Sequence, residues 1–145
     1  MLIINNLQDI KKRLREFTQI RKLPLNNGTT LNIIDAEGIR YWNTTIMPQD
    51  IKEVQFVFIE SNKEVFPKSK CRHPVVIDGK TVEPLDTIEL LQVKFENKLK
   101  QDTDSLQFGV QLYVYKFEEL RVSITLLPDN QGVRNINFTQ NTTES

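Results

Sequence analysis

Apolar and polar residues alternate along two neighbouring segments late in the chain, residues 106–114 and 120–126. A period of two is typical of β-strands, because successive side chains point to opposite faces of a sheet. Residues that face each other across a hairpin lie on the same face of the sheet. Since the apolar residues of both segments carry even numbers, both sets are buried together only if even-numbered residues face even-numbered ones. The pattern therefore predicts a long hairpin in which Val114 faces Val122, with an odd loop centred on Glu118.

This register places Tyr113, Tyr115 and Arg121 together on the face opposite the buried one, with Phe117 close by. Tyr and Arg are enriched where protein interfaces carry their binding energy, since they combine a large contact area with a polar tip. We therefore expect Tyr113, Tyr115, Phe117 and Arg121 to form a partner-binding face. Two alternatives remain: a helix covers this face, or a two-residue turn directs both tyrosines inward.

Two further hairpins are predicted upstream. The dipeptide Asp78-Gly79, between two short apolar runs, favours a type I′ turn, whose twist matches that of a hairpin. The segment around Gly38 favours a second hairpin, with this glycine in a left-handed bulge position. In that register Ile33 faces Tyr41.

The same register puts Trp42 on one face with Ile34, which favours a place in the core for this tryptophan. The β-branched and aromatic residues of 53–60 predict a buried strand. A turn and a short strand near Val65 follow it.

Two helices are predicted as well. The first covers residues 5–22 and is stopped by Pro24. Its apolar positions recur every three or four residues, at Leu7, Ile10, Leu14 and Phe17. Asp86 and Glu89 have the spacing of a capping box and begin a second helix over 86–100, for which a strand is the alternative.

Strands in neighbouring pairs, without regular alternation with helices, argue against a parallel α/β sheet. The predicted class is α+β: an antiparallel sheet of hairpins, flat or strongly curled, packed by an N-terminal helix and by a second helix near 86–100. After Pro128 the apolar pattern dissolves. We predict one domain over residues 1–138 and a disordered tail over residues 139–145.

Residues that carry catalytic chemistry are scarce, and the only cysteine and the only histidine are Cys71 and His73. A structural zinc site needs four protein ligands and a catalytic one needs three. The glycines are scattered and form no phosphate-binding loop. The sequence predicts no catalytic residue, no metal and no cofactor, and it favours a protein that is not an enzyme.

Lys and Arg together number 19, as do Asp and Glu, so the formal net charge is zero. This balance excludes a wholesale polyanion binder of the histone type. The helix over 5–22 and a loop near residue 70 nevertheless carry basic clusters that could form one positive patch. The residues of this alternative nucleic-acid site are Lys11, Arg15, Lys22, Lys68, Lys70 and Arg72.

No apolar run approaches the ~18 residues of a membrane span. The first residues also lack the order of a signal peptide, so we predict a cytoplasmic protein without membrane contact. The favoured function is a non-enzymatic binding or adaptor module for a protein partner or a second copy of itself. A nucleic-acid-associated protein is the first alternative, and a small-ligand binder built in a curled sheet is the second.

Overall fold

The structure, a computed structural model, describes residues 2–141. The elements within this range are β1 (Leu2–Ile4), α1 (Leu7–Arg15), β2 (Arg21–Pro24), β3 (Thr29–Ile34), β4 (Ile39–Thr44), β5 (Ile51–Val57), β6 (Val75–Ile77), β7 (Lys80–Val82), α2 (Ile88–Lys94), β8 (Lys100–Gln101), α3 (Thr103–Leu106), β9 (Leu112–Phe117), β10 (Leu120–Leu126) and β11 (Val133–Gln140), with a short 3-10 turn at Pro128–Asn130. The fold is α+β with mostly antiparallel sheets, so the predicted class is confirmed.

The strands form two sheets. The large sheet has eight strands in the order β2-β3-β4-β5-β11-β10-β9-β8, and it is open rather than closed into a barrel. The small sheet has three strands in the order β1-β6-β7, with β1 parallel to β6. The turn Asp78-Gly79 joins β6 to β7 with φ values of 50° and 77°, which confirms the predicted hairpin.

One face of the large sheet, the inner face, packs into the core. Its side chains include Phe56, Val122 and Phe138, which belong to one buried cluster with Ile10 of α1 and Leu91 of α2. Residues that alternate with these along each strand lie on the opposite side, the outer face. No helix within residues 2–141 has the length and apolar character needed to cross a membrane.

Strand β11 lies in the middle of the large sheet, between β5 and β10. This strand was not predicted, because the apolar pattern was taken to dissolve after Pro128. Ile136 is fully buried on the inner face, whereas its neighbours Asn135 and Asn137 lie on the outer face. The strand continues to Gln140, so ordered structure extends beyond the predicted boundary at residue 139. Residues 142–145 of the predicted tail lie outside the described residues.

Helix α1 is shorter than the predicted range 5–22. The Asn6 side chain caps its N-terminus by accepting a hydrogen bond from the Asp9 N–H at 2.9 Å, and the helix ends at Arg15. The chain then becomes extended and pairs with β3, and Arg21 binds both carboxylate oxygens of Asp35 at 2.9 and 3.0 Å. Sheet pairing and this bidentate ion pair outweigh the helical pattern of the sequence.

Helix α2 lies inside the predicted range 86–100, but Thr87 rather than Asp86 is its N-cap. The Asp86 carboxylate instead accepts hydrogen bonds from the Glu83 N–H at 3.0 Å and from the Lys94 ammonium at 2.7 Å. The predicted capping box is therefore wrong. Asp86 holds the start of the helix to its last turn and to the preceding loop.

The β3–β4 hairpin forms where it was predicted, but with a different register. Ile34 faces Ile39, so the expectation that Ile33 faces Tyr41 is wrong by one residue. The cause is a connecting loop one residue longer than expected. As a consequence Trp42 lies on the outer face and is partly exposed, rather than sharing a face with Ile34.

The segment 58–74 contains no strand, so the short strand predicted near Val65 is wrong. Its part around Val65 and Phe66 packs over the outer face beside β4, whereas Cys71 joins the buried core. The Arg40 guanidinium donates to the Val65 carbonyl at 2.6 Å, and its central carbon lies 3.9 Å from the centre of the Phe66 ring.

The β9–β10 hairpin has a two-residue turn, the alternative that the sequence left open. Phe117 faces Leu120, so the expectation that Val114 faces Val122 is wrong. The turn places Glu118 at φ 50°, a left-handed conformation that glutamate seldom adopts. The segment before β9 forms α3 and a turn rather than the first half of a long strand.

Candidate functional site

The observed turn separates the residues predicted to form a partner-binding face. Tyr113, Tyr115 and Phe117 lie on the inner face, where they join or pack against the core. Arg121 lies on the outer face, because it alternates with buried inner-face residues of β10. A shift of one residue in strand register moves every side chain to the other face, so the four residues do not share one face of the sheet.

Tyr115 instead connects the two sheets. Its hydroxyl donates to the Asp78 carboxylate at 2.6 Å, and the Lys80 ammonium lies 3.4 Å from that hydroxyl. The Phe95 ring meets the Tyr115 ring edge-on, with 4.8 Å between their centres. The hydrogen bond from Tyr115 holds the pKa of Asp78 below its ordinary value, while burial and Asp78 raise the pKa of Tyr115. This cluster is a structural link.

The basic residues predicted on the first helix divide between two elements. Lys11 and Arg15 lie on α1 and line an open cleft of about 390 Å³, beside the inner-face residue Tyr41. Lys22 lies in β2 at the edge of the large sheet rather than on the helix. The predicted helical stripe of three cations therefore does not form.

The basic loop is carried by a different element. Lys68, Lys70 and Arg72 are exposed on the segment 58–74, and the Lys68 N–H donates to the Asp35 carboxylate at 3.0 Å. Cys71, which lies between Lys70 and Arg72, joins the buried cluster that also contains Ile10 and Leu14 of α1. The joint positive patch of helix and loop stays a prediction.

Cys71 and His73 lie close together without forming a reactive pair. The Cys71 sulfur contacts the main-chain carbonyl of His73 at 3.6 Å, and the thiol is 2% exposed. Burial raises the pKa of this thiol, which opposes formation of the nucleophilic thiolate. Within residues 2–141, no group of three or more His, Cys, Asp and Glu side chains is placed to hold a metal ion.

An open cleft of about 490 Å³ lies where β8 meets β9, and we call it the basic cleft. The residues that line it are Lys98, Lys100, Gln101, Asp102, Val114, Tyr115, Lys116 and Arg121. Four of these side chains are cations and one is a carboxylate.

The four cations of the basic cleft have no salt-bridge partner among the described residues. The carboxylate, Asp102, is occupied locally: it accepts a hydrogen bond from the Ser105 hydroxyl at 2.9 Å and one from the Asp104 N–H at 3.1 Å. The bond from the Ser105 hydroxyl contributes most to holding the pKa of Asp102 below its ordinary value, and the bond from the Asp104 N–H adds to this effect. The cleft therefore carries excess positive charge in a protein of zero net charge.

Two of these cations face each other directly across the β9–β10 hairpin, because Lys116 pairs with Arg121. Like charges in facing positions of a sheet destabilise it. The fold thus accepts a small cost in stability to keep both charges at the cleft, a local conflict of the kind that is expected at functional sites.

Strand β9 extends beyond its pairing with β8 at the same cleft. Strand β8 pairs with β9 through Lys100, which faces Val114, and the Lys98 N–H then donates to the Phe95 carbonyl at 2.9 Å. The chain has therefore turned away from β9 beside Lys116. Main-chain groups two residues apart point to the same edge of a strand, so both the N–H and the C=O of Lys116 point to the edge of β9 that Val114 presents to β8.

From the cleft, a row of facing residues crosses the outer face of the large sheet. Arg121 faces Thr139, Thr139 faces Glu53, and Glu53 faces Trp42. The central carbon of the Arg40 guanidinium lies 4.9 Å from the centre of the Trp42 ring. The row therefore begins at a cationic cleft and ends at a partly exposed aromatic ring.

The neighbouring row on the outer face is a ladder of amides. The Gln55 amide donates to the Asn137 oxygen at 3.1 Å, and the Asn135 amide donates to the same oxygen at 2.7 Å. Asn137 in turn donates to the Glu53 carboxylate, and Arg40 donates to Gln55. These bonds fix the polar groups of the outer face in place.

Sequence reasoning named Tyr115 and Arg121 but missed Lys98, Lys100 and Lys116. The spacing of the lysines in the stretch KFENKLK was a signal that this part of the chain is basic. Only the pairing of β8 with β9 brings these lysines to the side of Arg121.

The chain matches no protein-family model, no curated protein and no solved structure. Its function has to be inferred from the chemistry and geometry of its own residues, of which the basic cleft is the most concentrated set.

Proposed function

We propose that the chain is a non-enzymatic binding protein that holds an anionic partner in the basic cleft. The observation that supports this proposal is the convergence of Lys98, Lys100, Lys116 and Arg121, without salt-bridge partners among the described residues, on one cleft. Clefts lined by one sign of charge attract ligands of the opposite sign.

The chemistry of the cleft favours an oxyanion, either a phosphate or a carboxylate. Arg121 offers a planar fork of N–H donors, while the lysines act as mobile point charges. Several contacts have to act together, because a single exposed ion pair contributes only about 0.2–1 kcal/mol.

A heparin column tests this proposal, since heparin is a general polyanion. The double variant Lys116→Glu/Arg121→Glu should leave heparin at a lower salt concentration than the unmodified protein. The matched control is Lys68→Glu/Lys70→Glu, which makes the same change in net charge on the exposed loop. Equal effects of the two double variants would show that retention depends on net charge and not on the cleft.

A protein partner is the second candidate, and the cleft beside α1 favours it. This cleft has an apolar floor that includes Leu14, Phe17 and Ile51, and Lys11 and Arg15 also line it. An amphipathic segment with acidic residues would match both properties, as in helix-in-groove recognition. In this case Phe17→Ala and Lys11→Glu should each weaken binding of an acidic amphipathic peptide, whereas Lys116→Glu should not.

A further inference from the structure

We infer that the partner of the basic cleft is a single-stranded nucleic acid, whose bases follow the outer face from Arg121 toward Trp42. This inference rests on the proposed function, and it adds the class of the partner and the direction in which it runs.

The distance along the row suits a short stretch of nucleic acid. Arg121 and Trp42 are separated by three strand spacings, because Thr139 and Glu53 lie between them in register. Neighbouring strands lie about 4.8 Å apart, so the two main chains are roughly 14 Å apart. A single strand with a phosphate in the cleft can therefore extend a base to the tryptophan.

The side chains of the row favour a nucleic acid over an acidic peptide. The Glu53 carboxylate lies in the middle of the row and would repel a carboxylate or a phosphate beside it, whereas an uncharged base fits there. The same carboxylate can accept a hydrogen bond from an N–H group on the edge of a base, such as the N3–H of thymine. Phosphates are thus expected at the Arg121 end, and base edges beside Thr139, Glu53 and Asn137.

Trp42 forms a supported stacking surface at the far end of the row. Its ring is partly exposed, and the Arg40 guanidinium lies 4.9 Å from the ring centre. Arg40 is itself fixed by the Val65 carbonyl and by the Phe66 ring. Proteins that bind single strands combine a basic groove with an aromatic ring on which a base stacks, and one such stack strengthens binding by roughly tenfold.

The chain has one tryptophan, so the fluorescence of Trp42 reports stacking directly. An oligothymidine of about 12 nucleotides, within the usual range of site sizes, is titrated at about 50 mM salt. The matched control is an abasic oligonucleotide with the same number of phosphates. We expect the oligothymidine to quench Trp42 and to bind roughly tenfold more tightly than the abasic strand, which should not quench it.

Two variants separate the parts of the site, with binding followed by the anisotropy of a labelled oligonucleotide. Trp42→Leu should remove the preference for oligothymidine over the abasic strand, while Lys116→Glu/Arg121→Glu should weaken binding of both. If Trp42→Leu does not fold, the quenching comparison on the unmodified protein still decides the question.

Three outcomes would overturn the inference. Equal binding of both oligonucleotides without quenching would remove the stacking role of Trp42 and leave the anion-binding function intact. Tighter binding of poly-glutamate than of oligothymidine, with the same dependence on Lys116 and Arg121, would point to an acidic protein partner. If no polyanion binds through the cleft, the proposed function fails together with the inference.

Discussion

The substitution Gly38→Ala should destabilise the protein far more than a glycine substitution at an ordinary turn. Gly38 has φ 69°, and an added Cβ would lie 2.0 Å from the main-chain nitrogen of Cys71. The neighbouring atoms are main chain, so no flexible side chain can move aside. The same region holds two hydrogen bonds, from the Val57 N–H to the Gly38 carbonyl at 2.8 Å and from the Cys71 N–H to the Val57 carbonyl at 2.7 Å.

The matched control is Gly79→Ala. Gly79 has φ 77°, but an added Cβ would meet nothing within 4 Å. The left-handed conformation alone costs about 1 kcal/mol in both variants. Loss of the two hydrogen bonds beside Gly38 adds about 2 kcal/mol, at about 1 kcal/mol each.

Urea unfolding measures this difference. With a slope of about 2 kcal/mol per molar, the midpoint of Gly38→Ala should lie about 1 M below that of Gly79→Ala. Equal midpoints would mean that the chain around Cys71 does not pass as close to Gly38 as the structure shows. The packing of segment 58–74 against the β3–β4 hairpin would then need revision.

Tyr115→Phe should lower the free energy of unfolding by about 1 kcal/mol at pH 7, because it removes the hydrogen bond to Asp78. The control is Tyr113→Phe, which should leave the free energy of unfolding unchanged, since the Tyr113 hydroxyl makes no side-chain hydrogen bond within the described residues. The fold holds the pKa of Asp78 below its ordinary value of 3.8, so the stability from this bond is complete above that pH and is lost as the pH falls through the folded pKa. Unfolding curves should therefore show the effect of Tyr115→Phe shrinking only below about pH 4; a constant effect at all pH values would contradict the assignment. Lys116→Gln should raise the free energy of unfolding by a few tenths of a kcal/mol, because it relieves repulsion from the facing arginine. The control Lys98→Gln lies outside the β9–β10 hairpin and should leave the free energy of unfolding unchanged. A similar increase in Lys116→Gln and Lys98→Gln would exclude cross-strand repulsion as the cause.

Local signals in the sequence were sufficient where one short motif determines the geometry. The Asp78-Gly79 turn formed as predicted, because few residue pairs other than Asn-Gly and Asp-Gly adopt two positive φ values easily. The α+β class followed in the same way, from strands that occur in neighbouring pairs. Predictions of this kind need only residues close together in the chain.

Strand β11 was missed although its sequence carries the signal of a half-buried strand. Ile136 and Phe138 alternate with Asn137 and Thr139, which is the period of two expected when one face of a strand is buried. The asparagines are typical of turns and loops, and they outweighed this short alternation in the prediction. The partners of their side chains, Gln55 on β5 and Thr125 on β10, become known only once the strands are paired.

The candidate site was missed for a related reason. The register of β9 and β10 depends on Glu118 adopting a left-handed conformation, and no glycine or asparagine marks that turn. The alternation of apolar residues favoured the other register, which separated Arg121 from the lysines. Long-range pairing determined which cations meet.

The salt dependence of oligonucleotide binding tests the central claim, that the four cations of the basic cleft hold an anionic partner. With four phosphate contacts, the logarithm of the affinity should fall against the logarithm of salt with a slope of about −3, or about fifty-fold between 50 and 200 mM. In Lys116→Glu/Arg121→Glu, which removes two of the contacts, the slope should become about half as steep. An unchanged slope in this variant would contradict the account, because the oligonucleotide would then be held elsewhere on the protein.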